Sequence, residues 1–108
     1  MSIYRFTEKE IVALDNNNFI GGISCEIYDD TLYISRIAVK ENYRKKQIGK
    51  NLMQFLEKEA KKRNLKVIQL GTCEFQAKGF YNKLEYKIVF TRDNNPKGYK
   101  NYTMIKVI

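Results

Sequence analysis

In Ile34-Ser35-Arg36-Ile37-Ala38-Val39-Lys40-Glu41-Asn42-Tyr43-Arg44-Lys45-Lys46-Gln47-Ile48-Gly49-Lys50 an apolar strand runs into a short basic turn, and the turn opens directly into an amphipathic helix. A helix start points unpaired backbone N–H groups in one direction and carries the positive end of the helix dipole. Strand, turn and helix start together make a cradle for a phosphate or diphosphate. The cations Arg44, Lys45, Lys46 and Lys50 sit where positive charge opposes the dipole, at a cost of about 0.3–1 kcal/mol each. An anion among them reverses that penalty, so their placement points to a ligand.

On the N-terminal side, residues 10–15 and 19–28 read as strands that form an antiparallel meander with 32–39. Asn16-Asn17-Asn18 and Asp29-Asp30 supply the turns, and Gly21-Gly22 allows a bulge or a close backbone approach. On the other side, Ile48, Leu52, Phe55, Leu56 and Ala60 recur at helical spacing through residue 63. Asn64 suits a left-handed C-terminal cap. The crossover then delivers a strand at 66–71, parallel to the one ending at Val39. A short helix over 76–84 groups Ala77, Phe80, Tyr81 and Leu84, and strands at 86–90 and 102–107 close the chain. The expected fold is α+β, with a mixed, mostly antiparallel central sheet of about six strands. Helices are expected on both faces, with an abbreviated N-terminal strand and abbreviated N-terminal helices.

A chain of 108 residues buries roughly 65% of its unfolded surface around one core, and is read as one domain. No apolar run approaches the roughly 18 residues of a membrane helix, and Met1 to Glu8 lacks the apolar centre of a signal peptide, so a cytoplasmic protein is expected. The chain has no histidine, which excludes Ser-His-Asp and Cys-His catalysis and most zinc sites; no metal is expected. Acid–base chemistry falls to Tyr, Glu, Asp, Lys or water. Cys25 and Cys73 belong to no metal-binding spacing and read as small apolar thiols. The net charge of +8 concentrates between Lys40 and Lys66, where Lys58, Lys61, Lys62 and Arg63 read as a solvated helix face.

The element order β-β-β-α-β-α-β-β with a basic turn at the first helix resembles the GCN5-related N-acetyltransferase (GNAT) family. That family's signature is Arg or Gln, two residues, Gly, one residue, then Gly or Ala; here it reads Arg44-Lys45-Lys46-Gln47-Ile48-Gly49. Its second landmark, an Ala-x-x-Phe-Tyr followed by Lys-x-Gly-Tyr, reads Ala77-Lys78-Gly79-Phe80-Tyr81-Asn82-Lys83-Leu84-Glu85-Tyr86. Gln47 and Glu85 stand at glycine positions of these motifs, and Glu74 stands where many members carry Asn. The family's first strand and its paired helices, which in the family wall one side of the acceptor site, are expected to be missing or vestigial here.

The resemblance implies acetyl-CoA as co-substrate and a primary amine as acceptor, on a small molecule or a peptide. It implies that backbone N–H groups from Lys46 to Lys50, with Ile48 and Gly49 between them, take the diphosphate. Arg44, Lys45 and Gln47 lie beside that site, and Ile37, Ala38 and Val39 splay from residues 67–69 to pair with the pantetheine arm. Tyr81 is the expected catalytic residue, serving the departing thiolate. A general base is left open: Tyr33 occupies the nearest central-strand position, and Glu26 could act only through water. A homodimer would help to close the site. Two other readings stay open: a CoA-binding sensor or partner subunit without catalysis, and a nucleic-acid-binding module supported by charge alone.

Overall fold

The computed structural model describes residues 2–7, 9–76 and 78–108; the side chains of Ser2, Lys45 and Lys46, and Ala77 of the second landmark, lie outside the described residues. Among the described residues, seven strands form one sheet in the order β1-β2-β3-β4-β5-β7-β6. They are β1 Ser2–Phe6, β2 Glu10–Asp15, β3 Asn18–Tyr28, β4 Thr31–Val39, β5 Val67–Cys73, β6 Lys87–Arg92 and β7 Asn101–Val107. Only β4 and β5 pair in parallel; the other neighbours are antiparallel. Asn16 and Asn17 turn the β2–β3 hairpin with φ of 50° and 67°, the left-handed region their side chains tolerate. Both glycines of β3 serve close approach: a Cβ on Gly21 would lie 2.9 Å from the Ala38 carbonyl, and one on Gly22 would lie 2.8 Å from that of Ile11.

Between β4 and α1 (Ile48–Lys62) the basic turn is a 3₁₀ segment, Glu41–Lys46. Tyr43 anchors it by donating to Asp15 Oδ2 at 3.2 Å. Helix α1 buries Ile48, Leu52, Met53, Leu56 and Ala60 against the sheet. Leu52, Met53 and Leu56 are fully covered, and each contributes about 1.5–3 kcal/mol by leaving water. Asn64, at φ 60°, ends the helix as its cap spacing predicts, and Leu65 N–H closes on the Ala60 carbonyl at 3.0 Å. The second helix, α2 Lys78–Lys83, is shorter than the 76–84 expected.

Two expectations need correction. The first strand is present: β1 pairs along β2 from Ser2↔Asp15 to Phe6↔Ile11. Its Tyr4 ring stacks on Phe55 with centroids 5.8 Å apart, so Phe55 faces a strand that the periodicity did not supply. The sheet therefore has seven strands, not about six. Second, the described helices share one face. Glu57 of α1 meets Tyr86 and Lys106, Tyr81 of α2 packs on Tyr86, and Lys78 lies over Tyr102, which projects to the same side of β7 as Lys106. The opposite face, with Ile3, Phe19 and Val107 exposed, carries no helix among the described residues. The chain passes from β1 to β2 through residues 7–9, which leaves no length for the paired helices.

Candidate active site

β4 and β5 are partners only at Thr31↔Val67, Leu32↔Ile68 and Tyr33↔Gln69. Beyond Tyr33 they part, because β4 changes course: Ser24 pairs with Arg36 and Cys25 with Ile34, so Ser35 is an extra residue that bends the strand. A cavity of about 810 Å³ opens in the wedge between residues 34–39 and 70–72. The bulge also shifts the alternation, turning Ile37 and Val39 towards the core. Backbone direction follows from one bond. Lys40 N–H donates to Ile20 O on β3 at 2.8 Å, so the Val39 carbonyl, across the same trans peptide, points away from β3. Strand alternation then aims the N–H and C=O of Ile37 and Val39 into the wedge, where β5 no longer takes them up.

The start of α1 closes one end of this wedge. Gln47 precedes the helix at φ 58° and ψ 24°, and no side chain caps the terminus. Asn51 N–H, bonded to Gln47 O at 3.0 Å, begins the helical ladder, so the N–H groups of Ile48, Gly49 and Lys50 precede it. Gly49 lines the cavity; a Cβ there would touch Phe80 Cζ at 3.6 Å, an ordinary contact. Arg44 reaches back to donate from Nε to the Val39 carbonyl at 3.1 Å, which holds its guanidinium on the cavity wall.

Tyr81, only 5% exposed, lines the same cavity. Its ring packs edge-on to Phe80 and Tyr86, with centroids 5.1 and 6.0 Å away. Burial raises its pKa above the usual phenol value, so it is a protonated hydrogen-bond donor at neutral pH. Tyr86 is held more firmly. Its hydroxyl donates to Glu57 Oε2 at 3.0 Å, and Lys106 Nζ donates to Oε1 of the same carboxylate at 2.8 Å. Burial first, and then the Glu57 charge, push the Tyr86 pKa up.

Of the residues singled out from the sequence, Ile37, Ala38, Val39, Arg44, Gly49 and Tyr81 line this one cavity. Ile48 turns its side chain into the core, while Gln47 and Lys50 are exposed at the helix start. Sequence reasoning missed Thr72, a buried polar residue on the cavity wall, and Gln76, whose Oε1 accepts from Cys73 N–H at 3.0 Å. Neither carries a local signal, since both reach the wall through where β5 ends. Glu74 bonds Lys100 N–H at 2.9 Å instead of facing the cavity, and neither Glu26 nor Tyr33 lines it. Among the described residues the lining holds no carboxylate, and no group of three or more His, Cys, Asp or Glu could hold a metal ion. Among the described residues no helix is long and apolar enough to cross a membrane.

The family model for the acetyltransferase (GNAT) family matches residues 3–86. The chain belongs to the GNAT acetyltransferase family. Solved GNAT structures align over nearly the whole chain. An acetyltransferase from Bacillus cereus matches with a TM-score of 0.82 at 24% identity, covering 100% of this chain and 74% of that one. The ribosomal-protein-S18-alanine N-acetyltransferase of Escherichia coli matches with a TM-score of 0.85 at 18% identity, covering 96% and 72%. An aminoglycoside 6'-N-acetyltransferase crystallised with coenzyme A matches with a TM-score of 0.82 at 25% identity, covering 91% and 71%. The first two, at such low identity, speak to the GNAT fold alone. A search of curated proteins found no match.

Proposed function

We propose that this GNAT protein transfers an acetyl group from acetyl-CoA to a primary amine by direct attack. One observation carries the reading: the opened edge of β4, the uncapped start of α1 and the Tyr81 ring all border a single cavity. The residues suit the ligand. Ile48, Gly49 and Lys50 offer N–H groups to a diphosphate, with Arg44 beside them and Lys45 and Lys46 next in sequence. Ile37 and Val39 offer the pantetheine amides the strand partner that β5 has withdrawn. The Ile37 N–H polarises the thioester carbonyl and stabilises the oxyanion that develops as the amine adds. When the tetrahedral intermediate collapses, the C–S bond breaks and the sulfur leaves as a thiolate, to which Tyr81 donates a hydrogen bond.

Among the described residues the lining offers no carboxylate base, so the amine enters as its neutral form or loses its proton to water, and the proton it sheds on becoming an amide also passes to water. This makes the rate rise with pH towards the acceptor's own pKa. The test is direct: purified protein, acetyl-CoA and a panel of primary amines including peptide N-termini, lysine side chains, polyamines and aminoglycosides, with thiol release and acetylated product both measured. Product from any class supports the reading. Saturable acetyl-CoA binding without product from any class would refute it in favour of a CoA-binding partner subunit, the reading suggested by the uncovered second face.

A further inference from the structure

The two walls of the cavity need to be held in register, and the sheet cannot do this, because β4–β5 pairing stops at Tyr33. Glu57 supplies the tie. It lies mid-way along α1, the helix whose start borders the cavity, and both its carboxylate oxygens are engaged from other elements. Lys106 of β7 takes one at 2.8 Å and the Tyr86 hydroxyl takes the other at 3.0 Å. Tyr86 in turn fixes Tyr81 twice. Its backbone N–H donates to the Tyr81 carbonyl at 3.0 Å, and its ring stands edge-on against the Tyr81 ring. The Glu57 side chain is 14% exposed and the Lys106 side chain 22%, so the pair is shielded without being sealed from water.

We infer that Glu57, through Tyr86, is a positioning residue that sets where the Tyr81 hydroxyl stands relative to the start of α1, and thereby couples cofactor seating to the donor of the leaving-group hydrogen bond. The inference rests on the acetyltransfer reading for its kinetic consequence, and on geometry alone for its structural one. A surface ion pair would have no such reach. Here one carboxylate links α1, β7 and the turn after α2, and a misplacement on the order of 1 Å in a reacting group costs up to about 10²-fold in rate.

The test uses the intact protein with Tyr86→Phe and Glu57→Gln, and with Leu65→Ala as a control that removes buried apolar volume away from the network. Tyr86→Phe keeps the ring and leaves Glu57 paired to Lys106, so it folds. The expected result is a kcat lower by about 5- to 10-fold in both network variants, with the KM for acetyl-CoA within about two-fold of the parent. Leu65→Ala should lower Tm and leave kcat unchanged. Tyrosine ring-carbon NMR, with the Tyr81 resonance assigned from its loss in Tyr81→Phe, should show that resonance shifted in both network variants and not in Leu65→Ala. Unchanged kcat in Tyr86→Phe, or an equal fall in Leu65→Ala, would overturn the inference. If the parent protein acetylates nothing, the functional reading fails separately, and an unmoved Tyr81 resonance in Tyr86→Phe would still overturn the positioning claim.

Discussion

Replacing Tyr81 by Phe removes one oxygen and little else. The ring stays between Phe80 and Tyr86, at 5.1 and 6.0 Å, and the packing that buries it is apolar. Burial raises the phenol's pKa above its ordinary 10.0, whereas a thiol ordinarily ionises near 8.5. Full proton transfer from Tyr81 to the departing sulfur is therefore uphill, and a hydrogen bond to the developing thiolate is the favourable form of assistance. Acid assistance of this kind is worth about 10²–10⁴-fold. The lower end applies to a hydrogen bond without transfer, so kcat should fall by about 10²-fold, or about 2.7 kcal/mol of transition-state stabilisation. Acetyl-CoA affinity should hold within about two-fold, because the contacts proposed for the diphosphate and pantetheine lie elsewhere. The assay is steady-state acetylation of the best amine in the panel, with calorimetric titration of acetyl-CoA alongside. Equal kcat in variant and parent would refute the role given to the hydroxyl, and a loss confined to affinity would move Tyr81 from chemistry to binding.

Three further outcomes follow from the geometry. Gly49→Ala should raise helix stability by about 0.5–1 kcal/mol, since the added methyl meets Phe80 at an ordinary 3.6 Å, yet weaken acetyl-CoA binding about ten-fold by crowding the diphosphate seat; a denaturation midpoint and a titration read the opposed signs. At Gln47, φ 58° costs a side chain about 1 kcal/mol, so Gln47→Gly should be neutral within about 0.5 kcal/mol after its gain in unfolded-state entropy, while Gln47→Val should destabilise by at least about 1 kcal/mol. Urea unfolding checks both. Tyr81 and Tyr86 hold their protons more tightly folded than unfolded, so their contribution is intact below their ordinary pKa of 10.0 and is lost as pH rises beyond it. The urea midpoint should fall above about pH 10, and fall less steeply in Tyr86→Phe; equal slopes for variant and parent would contradict this.

Much of the fold can be read from short-range pattern. Helical spacing locates α1, and Asn64 takes the left-handed conformation its cap position demands. Both replacements of motif glycines, Gln47 and Glu85, keep positive φ at 58° and 72°, so the local backbone survives without the residue that normally signals it. What could not be read is long-range. β1 is five residues whose apolar pair Tyr4 and Phe6 makes sense only once Phe55 of α1 and Arg63, just past its C-terminal end, lie beneath it. Glu57 resembles any other charge on a basic helix until Tyr86 and Lys106, 29 and 49 residues away, close on it. The arrangement of both helices on one face depends on the same contacts. The cavity lining shows the same divide: Arg44, Gly49 and Tyr81 are found through motifs, whereas Thr72 and Gln76 arrive with the end of β5.

In the proposed complex, backbone amides at the opening of α1 hold the diphosphate of the coenzyme. Amide nitrogen–proton spectra recorded during titration with coenzyme A test it residue by residue. Large, saturable shifts of the Ile48, Gly49 and Lys50 amides are expected, with those of Ile37 and Val39 moving at the same midpoint. Saturable shifts confined to Lys58, Lys61, Lys62 and Arg63, with the helix opening unmoved, would contradict it.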